Sequence, residues 1–299
     1  MTEPRTEGRW LSLAVLVFGA MVIGLAPILV RLAEAGPAAV GFWRLLIAAP
    51  LLAALAMRPG AERPAGPPPR AALLAGVMFA LDLGFWHYGI AFTSVANATV
   101  LANLTPVIVT AFAWIFFKQV PPRLFLAAVA LAVSGSWMMA TARGGAPGIN
   151  PPLGDALSLA TTLWYALYMI AVAQARRTSG AVQVMLWSTL TGLPFLLAGA
   201  LLLREPLLPA TWAGWAACAG LGAMHIAGQG SIAWALGRLP AATASVVVLV
   251  QPVVAGALGW ALFAEAPGPW QALGGFIALA GVALAQWAGR PRQPIASSP

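Results

Sequence analysis

The sequence predicts an all-α integral membrane protein, with ten transmembrane helices arranged as two inverted five-helix repeats around a central cavity. Three observations lead there. The chain is 61% hydrophobic and only 8% charged, with a mean hydropathy of +0.85. A soluble domain carries roughly 25% charged residues, so this chain has too little polar surface to face water. Ten apolar stretches come close to the ~20 residues that cross a bilayer as a helix. Finally, one window is written twice: residues 96–135 align without a gap on residues 242–281, with eleven of forty positions identical.

The expected spans are 11–33, 38–57, 71–92, 95–117, 123–141, 154–174, 181–203, 211–235, 241–263 and 269–288. Helices are the form that lets each segment satisfy its own backbone hydrogen bonds in lipid. The first span follows a short charged terminus holding Arg5 and Arg9. It is longer than the apolar part of a signal peptide and has no clear cleavage signal, so it is expected to be retained. Only Thr93 and Ser94 separate the third span from the fourth. The split is placed there because an unbroken helix over 71–117 would be more than twice as long as a bilayer needs. The second copy agrees, since Gly237-Arg238-Leu239-Pro240 interrupts it at the same place. Other spans are bounded by Pro121-Pro122, by Gly144 to Pro152 and by Ala266 to Pro269. Pro27, Pro50, Pro106, Pro194 and Pro252 lie inside spans, where each removes a backbone hydrogen bond and frees a carbonyl.

The repeat fixes the expected organisation. In the aligned windows Pro106 meets Pro252, Trp114 meets Trp260, Phe117 meets Phe263, Pro121 meets Pro267 and Gly135 meets Gly281, all at an offset of 146. Upstream, Trp43 and Pro50 match Trp187 and Pro194 at an offset of 144. Two units follow, residues 1–145 and 146–299, and self-similarity of this kind outranks other signals. Five spans per unit is an odd number, so the second copy enters the membrane from the opposite face. Inverted repeats of this type place a binding site near the midplane, between the halves.

Charge gives the expected orientation. Twelve of the sixteen Lys and Arg fall on the side that holds both termini; Arg31, Arg143 and Arg204 fall on the other, and Arg44 lies within the second span. The positive-inside rule makes both termini cytoplasmic, in a bacterial inner membrane. The net charge of +8 belongs to this pattern: no basic run is interleaved with stacking aromatics, so nucleic acid is not an expected partner. The single cysteine, Cys218, excludes an internal disulfide and a cysteine-based metal site. No cofactor or metal is expected, and the expected partners are membrane lipid and a small-molecule substrate, with the carrier monomeric.

These features resemble the drug/metabolite transporter superfamily, and within it the EamA-type exporters. The resemblance runs through Ala96-Asn97-Ala98, Pro106 and Phe117-Lys118-Gln119, and again through Ala242-Thr243-Ala244, Pro252 and Phe263-Ala264-Glu265. An acidic residue commonly ends this helix in the family; Glu265 keeps it and Gln119 departs from it. Trp164-Tyr165-Ala166 and the intramembrane Asp82 are similar to the bacterial aromatic amino-acid exporters. The resemblance implies efflux of amino acids or similar metabolites, through a cavity lined by the first four spans of each half, with the fifth and tenth outside it.

Transport needs no nucleophile, so the informative residues are polar groups sunk in the bilayer. Asp82 is the one acid of eight near the centre of a span. A charge there costs about 2.5–3.5 kcal/mol even on the lenient insertion scale. Asp82 therefore binds a substrate ammonium or a coupling proton, or it pairs with Arg44. Met78, Asp82 and Trp86 share a helix face at four-residue spacing. His225 and Gln229 are also four apart, and their counterparts in the first unit are Phe79 and Leu83. They line the cavity or join neighbouring helices by a hydrogen bond. Trp164, Tyr165 and Tyr168 form an aromatic wall able to grip apolar or flat side chains. Thr99 and Asn103, with Ser245 in the second copy, supply polar groups that either meet the substrate or bond back to their own helices.

The expected function is export of amino acids, apolar and aromatic ones included, by alternating access, with neutral polar groups holding the ammonium and carboxylate. A drug or organic-cation exporter on the same fold is the alternative. An intramembrane enzyme is disfavoured, because no Gly-x-Ser nucleophile segment with a partner histidine and no His-Glu-x-x-His helix is present. A channel would be recognised by large unitary currents.

Overall fold

The computed structural model describes residues 6–58, 67–105, 107–108, 111–112, 115, 122–141, 148–239, 244, 247–248, 250–263 and 267–288. Its described elements are helical: α1 (Thr6–Gly24), α2 (Ala26–Leu32), α3 (Pro37–Met57), α4 (Arg70–Phe92), α5 (Val95–Ala102), α6 (Arg123–Thr141), α7 (Pro151–Ala175), α8 (Ala181–Leu202), α9 (Trp212–Met224), α10 (Gly230–Leu236), α11 (Val250–Phe263) and α12 (Pro269–Ala288). Among the described residues, five segments are long and apolar enough to cross a membrane: Trp10–Leu32, Pro37–Met57, Arg70–Phe92, Pro151–Ala175 and Ala181–Leu202. Large apolar side chains such as Leu51, Phe195, Trp260 and Phe276 face outward, while Arg44, Asp82, His225 and Gln229 are buried. A water-soluble protein distributes polarity the other way, and a chain solvated by lipid has reason to do this.

The boundaries follow local chemistry. α4 ends at Phe92 and α5 begins at Val95, so the chain breaks at Thr93 and Ser94. Ser94 Oγ accepts the Asn97 N–H at 3.1 Å and caps α5. Thr211 caps α9 in the same manner through Gly214, and prolines open α3 and α7 where no N–H partner is lost. Pro27 divides the first predicted span into α1 and α2, whereas Pro50 and Pro194 are carried inside α3 and α8. The predicted span 211–235 is α9 and α10 joined by a π-helical turn, His225–Gln229. Parts of the spans 95–117 and 241–263 lie outside the described residues.

Two close approaches recur at the repeat offsets. A Cβ on Gly135 of α6 would collide with the backbone of Ala278 and Gly274 of α12; one on Gly281 would collide with Ala132 and Ala128 of α6. Adding 146 to 128, 132 and 135 gives 274, 278 and 281, so the contact maps onto itself with its partners exchanged. As numbers rise along α6 the touching residues fall along α12, so the two helices are antiparallel. Likewise Gly76 of α4 presses on Ser188 and Thr191 of α8, and Gly222 of α9 presses on Ile47 and the Arg44 carbonyl of α3. Gly76 and Gly222 stand at the 146 offset, and Ser188 and Thr191 stand at the 144 offset from Arg44 and Ile47.

Candidate functional site

A narrow cavity lies between α1, α3, α4, the end of α5, α7, the π turn and α11. Its walls are Ile23, Arg44, Phe79, Asp82, Leu83, Trp86, Ala102, Asn103, Thr161, Tyr165, Gln229 and Gln251, around a cavity of about 40 Å3. None of its lining residues comes from α6 or α12, which pack against each other instead.

Of the residues expected from sequence, Asp82, Trp86, Asn103, Tyr165 and Gln229 meet at this cavity. Asp82 and Trp86 reach it together because one turn of α4 separates them, with Phe79 on the same face. Asn103 sits at the C-terminal end of α5 and donates from Nδ2 to the Thr99 carbonyl at 2.8 Å.

Met78, Thr99, Trp164, Tyr168 and His225 are not among its lining residues. Met78 packs against the apolar core. Thr99 Oγ1 bonds back to the Val95 carbonyl at 2.7 Å, the local alternative open to any helical threonine. Trp164 lies edge-on to Phe85. Tyr168 packs tilted against Phe79 at 4.7 Å between centroids and donates to Met185 Sδ at 3.9 Å. His225 stacks on the same Phe79 ring at 5.2 Å, and its Nε2 is joined to Thr189 Oγ1 at 2.9 Å. These side chains form the layer behind the wall. His225 and Gln229 divide between the layers because they stand at the two ends of a π turn, whose wider i→i+5 geometry re-aims side chains that an α-helix would align. Ser245 lies outside the described residues.

Arg44 is the residue whose place the sequence reading left open. It is 1% exposed, lines the cavity, and lies 5.7 Å from the Phe79 centroid. Nε and Nη1 have no hydrogen-bond partner, and among the described residues no ion pair at contact distance joins it to Asp82. Neutral groups are therefore not the whole of the polar lining: a guanidinium and a carboxylate share it. Gln229 Oε1 and Gln251 Nε2, in the same walls, are likewise buried without partners. Sequence gave one signal for Arg44, a charge inside an apolar span, but not the direction in which it points.

A second polar cluster closes one end of the bundle. The Glu205 carboxylate, in the loop after α8, accepts the N–H groups of Ala38 and Ala39 at 3.2 and 2.9 Å and the Tyr88 hydroxyl. Trp43 Nε1 donates to the Leu207 carbonyl at 2.7 Å beside it. Nearby, Asp155 Oδ1 accepts from Thr93 Oγ1 at 2.8 Å, and Asn97 Oδ1 accepts from Gln271 Nε2 at 2.6 Å. These bonds tie α4, α5, α7 and α12 together at the break the sequence placed at Thr93 and Ser94.

Apolar helices facing outward around a buried polar cavity define a multi-pass membrane protein. The chain belongs to the EamA-like transporter family, which matches residues 10–141 and again residues 152–287. It is 25% identical over 273 residues to a protein of Archaeoglobus fulgidus named an uncharacterized transporter, an alignment covering 91% of this chain and 95% of that one. A solved crystal structure, 18% identical, shares the fold with a TM-score of 0.64 over 92% of this chain and 96% of its own.

Proposed function

We propose that this transporter exports amino acids by alternating access, and that the cavity around Asp82 is its binding site. The observation that carries this reading is the wall itself. Asp82, Asn103, Gln229 and Gln251 offer hydrogen bonds to the invariant part of an amino acid, while Phe79, Trp86 and Tyr165 offer ring surface to a varied side chain. Both matched segments of the chain contribute to the wall. The self-reciprocal α6–α12 contact supports a duplicated scaffold: a twofold that exchanges antiparallel membrane helices lies in the plane of the bilayer, as an inverted repeat requires. Substrate release to either side would then follow from rocking of one half against the other. With both termini in the cytoplasm, a reporter fused near Asn150 faces the periplasm.

A carrier of organic cations could use Asp82 and the same rings, but Arg44 in the same cavity opposes a cation without a compensating anion. The test is uptake into proteoliposomes of a panel of amino acids and of lipophilic cations, with and without a pH gradient, for the wild type and Asp82→Asn. Amino-acid uptake that falls at least about tenfold in the variant is expected, the scale on which losing one charged hydrogen bond acts. Unaltered uptake in Asp82→Asn would remove that carboxylate from binding and coupling alike. Movement of cations alone would replace the amino-acid reading with the rival.

A further inference from the structure

Buried polar atoms without partners are rare, and several in one cavity point to a missing ligand. Four meet here: Nε and Nη1 of Arg44, Nε2 of Gln251 and Oε1 of Gln229. Three are donors and one is an acceptor. A guanidinium offers a carboxylate two forked edges, one made by Nε with Nη2 and one by Nη1 with Nη2. Each edge therefore contains an N–H without a partner. The Phe79 ring lies on one side of the group, and Tyr168 and His225 pack against that ring in turn, so the guanidinium is backed by an aromatic cluster. Asp82, one turn along α4 from Phe79, puts the opposite charge in the same cavity without neutralising Arg44 by contact.

We infer that Arg44 is the receptor for a single carboxylate of the transported molecule, and that Asp82 and Gln229 Oε1 face its ammonium. This rests on the cavity being the transport site, and it narrows the substrates to molecules that carry both charges. Two opposite charges that share a low-dielectric cavity without touching compensate each other only in part, and that is costly. A zwitterion answers both at once. An amine answers only Asp82; a dianion answers Arg44 and is repelled by Asp82. The scaffold supports this polarity, because the repeat counterparts of Arg44 and Asp82 are Ser188 and Gly228. Both charges were placed in one half, as a ligand with unlike ends requires of a twofold frame.

The test compares phenylalanine with its methyl ester, with phenethylamine and with 3-phenylpropionate as ligands of the detergent-solubilised wild type, by thermal shift and by competition. The ring is common to all four, so differences report the charged ends. Phenylalanine is expected to bind at least about tenfold more tightly than the ester or the amine. Arg44→Gln should bring the acid and the ester to within about twofold of each other. Arg44→Gln combined with Asp82→Asn, which leaves no lone buried charge, serves if the single variant does not fold. Equal binding of acid and ester by the wild type overturns the assignment of Arg44 and leaves the exporter reading standing. Preference for the acid without any amino-acid transport does the reverse, overturning the exporter reading and keeping the carboxylate site.

Discussion

The aromatic residues show how much depends on which side of a helix a ring occupies. Trp164 and Tyr165 are adjacent in sequence, yet Tyr165 lines the cavity and Trp164 packs against Phe85. Trp86, on the opposing helix, contributes the indole that the cavity contains. Size selectivity should therefore follow Trp86. Trp86→Ala is expected to weaken tryptophan and phenylalanine several-fold more than glycine, given about 0.5–1.5 kcal/mol for a lost ring pair. Trp164→Ala should weaken large and small substrates alike. Competition against a common labelled amino acid measures both, and a larger size effect at Trp164 would reverse the assignment. Asp82 was legible in the sequence, because a carboxylate amid twenty apolar residues has few reasons to be there. The partners of Thr99 and His225 were not, since a residue that can bond to its own helix or to a neighbour gives the same signal either way.

At the scale of the element, helix ends decide more than helix middles. The first N–H groups of α3 have no partners within the helix, and Glu205 supplies an acceptor from a loop 166 residues away. Its carboxylate also holds Tyr88 near the end of α4, so one side chain ties α3 and α4 to the loop after α8. Glu205→Ala removes that tie and should lower Tm by a few degrees, from about 1 kcal/mol for a lost cap plus the tyrosine bond. An unchanged Tm in detergent would show that the loop is held by other contacts. Sequence placed the boundaries of these helices well, because prolines and short polar residues act locally. It did not place the cap of α3, since a carboxylate so far along the chain leaves no local mark. The π turn was equally hidden, because His225 and Gln229 have the spacing of an ordinary helix.

Across the whole molecule, the α6–α12 pair is where the proposed symmetry is tested most directly. Gly135 and Gly281 each lie against the backbone of the opposite helix, so either leucine substitution forces the helices apart. If the frame is twofold, Gly135→Leu and Gly281→Leu should lower Tm by similar amounts, and the double variant should add little once the pair has separated. Very unequal losses would argue against equivalence of the two sites. Neither variant touches the cavity, so substrate preference should persist in the protein that remains folded.

Sequence by itself determined the solvent and the helices, and carried the self-similarity from which a duplication is proposed. Hydropathy averages over twenty residues and needs no partner, and an internal repeat survives as matched prolines, tryptophans and glycines. The tertiary structure alone decided how each helix is rotated about its axis. That rotation is set by backbones meeting at glycines such as Gly76 and Gly222, which no single segment encodes. It put Arg44 and Asp82 in the walls of one cavity, left His225 out of that lining and kept Gln229 in it, and so brought scattered polar residues together.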